Sequence, residues 1–362
     1  MNDQELIPEA DGGPVDAAAQ GVSPLQRKPL RRNEREMTSP NTATAALETN
    51  RPRKRRIKRF IAIAASAAVL IGAPAAIIVA RPWAPTTGPS VQSVRYLGLY
   101  EPDAPAAYTG IDRFAQAIGR QPNIVSYYNP WLKPFQAGFA RSAASRGATA
   151  LVQLDPTNVP LAKIAAGQYD AYLRSYAIAI KDFGGHVILS FGHEMNGYWY
   201  SWGNLSTQPA VFVAAWRHVV TLFRAAGAGN VTWLWAVNVT DQTTEIPNPA
   251  PWWPGGSYVN WVGIDGYYDS PLAGFAQVFG PTIVDVRSLT KDPIFISETG
   301  VKPAAGQQAK IVDLFAGIRA YGLLGFLWFD QNYSGDDWRI SSSQAFTAFR
   351  QQTKAFFKPP QG

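Results

Sequence analysis

The sequence predicts a (β/α)8 barrel over residues 93–358, on three observations. Eight short runs rich in β-branched and aromatic residues recur along it. Ala-rich, helix-like stretches separate them. The whole region holds about 265 residues, a typical size for one such barrel. The runs lie at 95–100, 124–128, 149–154, 186–191, 231–237, 261–266, 293–297 and 325–329. Helical patterns fall between them, among them 110–118, 168–183, 209–226 and 304–321. Strands alternating with helices imply βα units and a parallel sheet, and eight units in one compact domain favour closure over an open sheet. Neither a P-loop nor a GxGxxG follows the first run, so nothing points to nucleotide binding.

Three segments precede the barrel. Residues 1–59 are rich in Pro, Ala, Asn, Glu, Thr and Arg without an apolar period, and read as a disordered basic tail. Residues 60–80 (FIAIAASAAVLIGAPAAIIVA) are uncharged, and about 20 residues at 1.5 Å rise span a bilayer core of roughly 30 Å. Seven basic residues at 51–59 flank the N-terminal side of this transmembrane helix. The positive-inside rule then leaves the tail in the cytoplasm and puts everything after Arg81 outside. The expectation is a single-pass anchor in the cell membrane with an extracytoplasmic domain, the alternative being secretion after cleavage of an export signal. Residues 81–92 (RPWAPTTGPSVQ) form a linker.

Composition removes several function classes. The net charge of +7 equals the seven basic residues of 51–59, so the rest is formally neutral and no nucleic-acid partner is expected. There is no Cys, which excludes a disulfide scaffold, a thiolate metal site and a Cys nucleophile. Apolar residues make up 46%, enough for a large core, and the twelve Trp suit either that core or a surface for the flat faces of sugar rings.

Reactive groups of a parallel barrel sit at the C-terminal ends of its strands. The fourth run ends in Ser190-Phe191-Gly192-His193-Glu194-Met195-Asn196-Gly197, and the seventh in Ser297-Glu298-Thr299-Gly300. Each sets one Glu at the mouth, and strands four and seven can face each other across it. Paired carboxylates suit glycosidic cleavage, one protonating the leaving oxygen and the other attacking the anomeric carbon. Mutual repulsion helps keep one of them protonated.

His193-Glu194 fails as a zinc motif, because position 197 is Gly where a second His is needed. No metal and no cofactor are expected, and His193 reads as an orienting neighbour of Glu194. Tyr198, Trp199, Tyr200 and Trp202 follow that Glu; Tyr127, Tyr128 and Trp131 follow the second run. Trp252 and Trp253 precede the sixth run, Tyr267 and Tyr268 end it, and Trp328 lies in the eighth. Their concentration on the catalytic face points to a sugar-binding cleft. Trp233 and Trp235 in the fifth run are compatible with barrel interior.

These residues resemble glycoside hydrolase family 26, a family of β-mannanases, some β-glucanases and β-1,3-xylanases. HVILSFGHEMNGYWYSWG is similar to its acid/base strand, including the His before the acid/base, and PIFISETG to its nucleophile strand. YVNWVGIDGYY resembles the sixth strand, whose Tyr bonds the nucleophile, and GFLWFDQN the eighth, with a sugar-stacking Trp. The resemblance implies Glu194 as acid/base and Glu298 as nucleophile. It implies His193, Trp199, Trp202, Tyr267 and Trp328 as substrate-binding residues, with Asp265 and Arg339 lining the cleft. One departure stands out. The third run ends Gln153-Leu154-Asp155-Pro156, without the His that mannanases of the family often carry there, which turns attention from mannan toward mixed-linkage β-glucan or a polymer the cell exports.

The expected function is therefore a monomeric retaining endo-β-glycanase that hydrolyses a β-linked polysaccharide, β-mannan or mixed-linkage β-glucan, by double displacement. The rival readings are a carbohydrate-binding barrel with little turnover and an envelope-polysaccharide assembly protein. A lyase or aldolase would need a Lys at a strand end, and Lys291 and Lys302 only flank the seventh run.

Overall fold

The computed structural model describes residues 95–240, 245–333 and 335–358. Eight parallel strands close into a barrel in sequence order. They are β1 (Tyr96–Tyr100), β2 (Ile124–Pro130), β3 (Thr149–Asp155), β4 (Val187–Phe191), β5 (Val231–Asn238), β6 (Trp261–Asp265), β7 (Ile294–Thr299) and β8 (Gly325–Phe329). Each predicted run overlaps one of them. The tail, the 60–80 span and the linker lie outside the described residues. Among the described residues no helix is long and apolar enough to cross a membrane.

Helices surround the strands: α1 (Thr109–Ile118), α2 (Ala137–Ser145), α3 (Leu161–Ala165), α4 (Asp170–Phe183), α5 (Pro209–Ala225), α6 (Phe275–Val278), α7 (Gly280–Leu289), α8 (Gln307–Ala320) and α9 (Ser343–Phe356). Local chemistry sets several ends. Gly119 and Gly184 take left-handed conformations that stop α1 and α4. Pro209 opens α5, where its missing N–H has no helical partner to lose. The Ser342 side chain accepts from Ala345 N and caps α9. A small antiparallel pair, β9 (Asn332–Tyr333) and β10 (Asp336–Asp337), follows β8.

Strand alternation sorts the side chains into two layers. Ile124, Leu151, Ile188, Leu234, Phe295 and Leu327 pack together inside the barrel. Val125, Val152, Leu189, Trp233, Trp235, Ile264, Phe326 and Trp328 face outward to the helices. Trp233 and Trp235 thus belong to the strand–helix layer rather than the interior. That layer is densely aromatic: Phe349 of α9 meets Phe315, Phe326 and Trp328 edge-on at 5.5, 6.0 and 5.4 Å between centroids.

Two backbone features shape the interior. At the β1–β8 seam a Cβ on Gly325 would collide with the Tyr96 carbonyl, and its φ of 152° also favours glycine. In β7, Ile296 pairs with Phe326 and Thr299 with Trp328, both pairs facing outward. Between them β8 has only Leu327, whereas β7 has Ser297 and Glu298. This bulge turns both β7 residues inward. Gly263 on β6 makes room, since a Cβ there would strike Ser297 Oγ.

Candidate active site

The bulge sets Glu298 at the barrel mouth. Its Oε2 accepts the Tyr267 hydroxyl at 2.8 Å, and its Oε1 accepts the Tyr128 hydroxyl. Tyr267 follows β6 and Tyr128 lies near the end of β2. The Glu298 carboxyl is buried. Burial first, then the neighbouring Glu194, pushes its pKa up to about 7, against the pull of His193 and the two tyrosines. Burial and the carboxylates also raise both tyrosines well above their usual value, so their hydroxyls stay protonated and donate.

Glu194 sits on a sharp turn after β4. Its own φ is +52°, after Gly192 at +58°. A left-handed glutamate is strained backbone, which persists where the surroundings enforce it. Here Glu194 N–H donates to the Ala236 carbonyl on β5 at 2.9 Å, and Gly197 N–H donates to the Glu194 carbonyl at 2.8 Å. The turn presents the carboxyl to two donors. Trp199 Nε1 reaches Oε2 at 2.8 Å, and Asn238 Nδ2, at the end of β5, reaches Oε1. One oxygen each of Glu194, Glu298 and Asp265 lie within 4.8 Å of one another.

The His193 ring is wholly buried, and its two nitrogens bond to residues other than Glu194. Nδ1 meets Asp155 Oδ1 and Nε2 meets the Tyr200 hydroxyl, each at 3.0 Å. Burial lowers the imidazole pKa, but Asp155, then Glu298 and Glu194, outweigh it and raise it to about 10. Burial likewise raises Asp155, opposed by His193. The pair is best described as an imidazolium held by a carboxylate. The third strand, which lacks the expected His, thus supplies the acid that charges His193.

Two expectations, for Trp202 and Trp328, are corrected by position. Trp202 does not line the cleft: it is 1% exposed, stacks on Tyr200 at 4.3 Å and donates Nε1 to the His193 carbonyl at 2.7 Å. Trp328 is wholly buried against α9, because it sits one residue out of phase with the inward-facing Leu327 and Phe329. Arg339 is exposed and pairs with Asp337 at 2.9 Å. Of the remaining aromatics, Tyr127 and Tyr268 point outward into the helix layer. Trp338, after β10, takes the interior place: its ring lies 4.4 Å from Tyr267 and packs with Tyr100 and Phe329.

The site therefore brings together Glu194, Glu298, Trp199 and Tyr267 with Tyr128 and Tyr200, which were counted among the cleft aromatics, and with Asn238, Asp155 and Trp338, to which no role was given. Asn238 and Asp155 end their strands, the same signal that located Glu194. Trp338 carried no such signal, since it lies beyond the last barrel strand.

A closed parallel barrel with two buried carboxyls facing each other at its mouth has the layout of a glycoside hydrolase. The family model for glycosyl hydrolase family 26 matches residues 170–309, a stretch that reaches from α4 to the start of α8 and includes both Glu194 and Glu298. Endoglucanase H of Acetivibrio thermocellus is 31% identical over 261 residues, covering 67% of this chain and 29% of that protein. Beta-1,3-xylanase TXYA of Vibrio sp. is 28% identical over 143 residues, 39% of this chain and 29% of that one. The chain thus spans less than a third of the length of these curated relatives. Among solved structures, a family 26 β-mannanase of Bacteroides ovatus superposes with a TM-score of 0.55 at 15% identity, covering 73% of this chain and 90% of that one. An endo-β-1,4-mannanase of Cellulomonas fimi gives 0.56 at 15%, covering 74% and 71%. At such identities the likeness is one of fold. Residues 170–309 thus match glycoside hydrolase family 26, and the barrel shares the fold of its solved members.

Proposed function

We propose that the barrel hydrolyses internal linkages of a β-glucan by retaining double displacement, with Glu194 as acid/base and Glu298 as nucleophile. The observation that carries this reading is the approach of the two carboxyls, with oxygens within 4.8 Å of each other. Retaining enzymes hold their carboxyls about 5–5.5 Å apart, whereas inverting enzymes need roughly 6.5–9.5 Å to admit a water.

In the first step Glu194 gives its proton to the glycosidic oxygen while Glu298 attacks the anomeric carbon. The C–O bond to the leaving chain breaks, and a glycosyl ester on Glu298 forms. In the second step water loses a proton to Glu194 and attacks the same carbon, releasing sugar and restoring Glu298. The partners suit these roles. Trp199 Nε1 can only donate, which fixes Oε2 of Glu194 as an acceptor. Asn238 can present either its amide nitrogen or its oxygen to Oε1, so it serves Glu194 with or without the proton. Tyr128 and Tyr267 donate to both oxygens of Glu298 and favour its ionised form.

The preference for β-glucan over mannan is supported by the 31% identical relative being named an endoglucanase, and by Asp155 ending β3 where a sugar-binding His was expected. We further propose that the 60–80 segment tethers the barrel on the outer face of the cytoplasmic membrane, a reading supported by its apolar length and basic flank.

The test is to incubate the protein with β-glucans, β-mannans and β-xylans and follow the first-formed anomer by NMR. Release of β-configured oligosaccharides from a β-glucan is the expected outcome. First-formed α-anomer, or no cleavage of any polymer, contradicts it.

A further inference from the structure

Asp265 ends β6 with its carboxyl wholly buried, and its Cα is in register with Glu298. One of its oxygens lies within 4.8 Å of both Glu194 and Glu298. Oδ1 accepts the Ser297 hydroxyl at 2.5 Å, and Oδ2 is buried with no hydrogen-bond partner among the described residues. The reaction scheme gives this carboxyl no step.

The groups around it are Glu298 on β7, Glu194 and His193 after β4, and the Ser297 hydroxyl. Tyr128 and Tyr267 donate to Glu298, and Asn238 pairs with Asp265 in register across β5 and β6. His193 is a cation acting on Asp265, and its ring nitrogens are taken by Asp155 and Tyr200. Among the described residues no Lys or Arg is buried. Three carboxylates sharing one water-poor space with a single imidazolium would repel one another strongly. Turnover needs Glu298 ionised and Glu194 protonated. An ionised Asp265 would press a proton onto Glu298 and quench it. A protonated Asp265 removes that repulsion, and its Oδ2, an orphan as an acceptor, becomes a donor.

We infer that Asp265 is a positioning residue, kept as a neutral acid while Glu298 is ionised, with its Oδ2 hydrogen directed at the Glu194–Glu298 pair. The site then holds two protons before the first bond breaks, one on Glu194 and one on Asp265. Burial first, then Glu298 and Glu194, raise the Asp265 pKa well above its ordinary value, against the pull of His193 and the Ser297 hydroxyl. The inference rests on the hydrolytic reading given above, but its first test does not depend on turnover.

That test is an infrared difference spectrum between the full-length wild type and Asp265→Asn at neutral pH. Loss of a protonated-carboxyl carbonyl band is expected; loss of a carboxylate band instead overturns the inference, whether or not the enzyme cleaves anything. If Asp265→Asn does not fold, wild type grown with carboxyl-labelled aspartate supplies the reading: an isotope-shifted protonated-carboxyl band is expected, and its absence is decisive against the idea. Kinetics add a second readout. Asp265→Asn keeps a neutral donor and should hold kcat within about tenfold, while Asp265→Ala should lose roughly a hundredfold in kcat with KM little changed. Equal losses in the two variants would mean that the charge, not the proton, is what matters.

Discussion

Tyr267 donates its hydroxyl to Glu298 Oε2 at 2.8 Å, and Trp338 lies against the same tyrosine ring at 4.4 Å. The hydroxyl opposes burial and Glu194, which together raise Glu298 to about 7. A nucleophile must be ionised, so kcat/KM should fall as pH drops through about 7. Tyr267→Phe removes a donor that favours the charged form. Its acidic limb should move upward by about one unit, the worth of one hydrogen bond to a charged group. A pH profile of kcat/KM for both proteins checks this, and an unmoved limb contradicts it.

The same carboxyl should weaken the fold at alkaline pH. Its folded pKa of about 7 lies above the ordinary 4.5, so ionisation is harder in the native state. The stability it contributes is complete below the unfolded value and is lost as pH rises through about 7. Glu298→Gln does not titrate. Its stability should match wild type in acid and exceed it above neutrality, by an amount on the order of 1–3 kcal/mol, with a correspondingly higher Tm there. The variant should also lose turnover by roughly 10⁴-fold or more. Melting curves at acidic and alkaline pH would reveal a constant gap if the account were wrong.

Trp328 and Trp338 should separate stability from catalysis. Trp328 is wholly buried against Phe349, so Trp328→Ala should cost about 3–5 kcal/mol, with KM of the remaining folded enzyme little changed. Trp338 backs Tyr267, and Trp338→Phe, which spares most of the packing, should lower kcat/KM by roughly tenfold. Denaturant titration and steady-state kinetics on both variants decide between this and the reverse pattern.

Glu101, after β1, and Asp330, after β8, form a second carboxyl pair. Burial, then Asp330, raises Glu101 to about 8, which leaves it a proton to share at neutrality. Asp330 also accepts from Ile340 N at 3.2 Å and from Trp328 Nε1 at 3.3 Å, so the pair ties β1 to the segment after β8. A raised folded pKa means stability is present at low pH and lost as pH rises through about 8. Wild-type Tm should therefore fall across that range, and Glu101→Gln, which keeps a donor without titrating, should fall less. Parallel curves would exclude the shared proton.

Much of this architecture was legible in the residues. Runs rich in β-branched and aromatic residues, separated by Ala-rich helical stretches, announced the barrel, and polar residues ending the fourth and seventh runs announced the carboxyls. What stayed hidden depended on register. Trp328 looked like a cleft residue because it is aromatic in the eighth strand, yet alternation turns it outward beside the inward Leu327 and Phe329. The β7 bulge that admits both Ser297 and Glu298 leaves no mark in composition. Asp155 was noticed only for the His it replaces, whereas its partner is His193, 38 residues away. Trp202 carried the right residue type near Glu194, but its indole is spent on the His193 carbonyl.

The central claim is that Glu298 forms a covalent bond to the sugar while Glu194 protonates the leaving group. An activated 2-deoxy-2-fluoro β-glucooligosaccharide slows the second step more than the first and should trap the glycosyl-enzyme. Peptide mass mapping should then find the added sugar on the peptide containing Glu298, at that residue, and no label in Glu298→Gln. A label on Glu194, or an unlabelled enzyme that nevertheless hydrolyses β-glucan with inversion, would contradict the account.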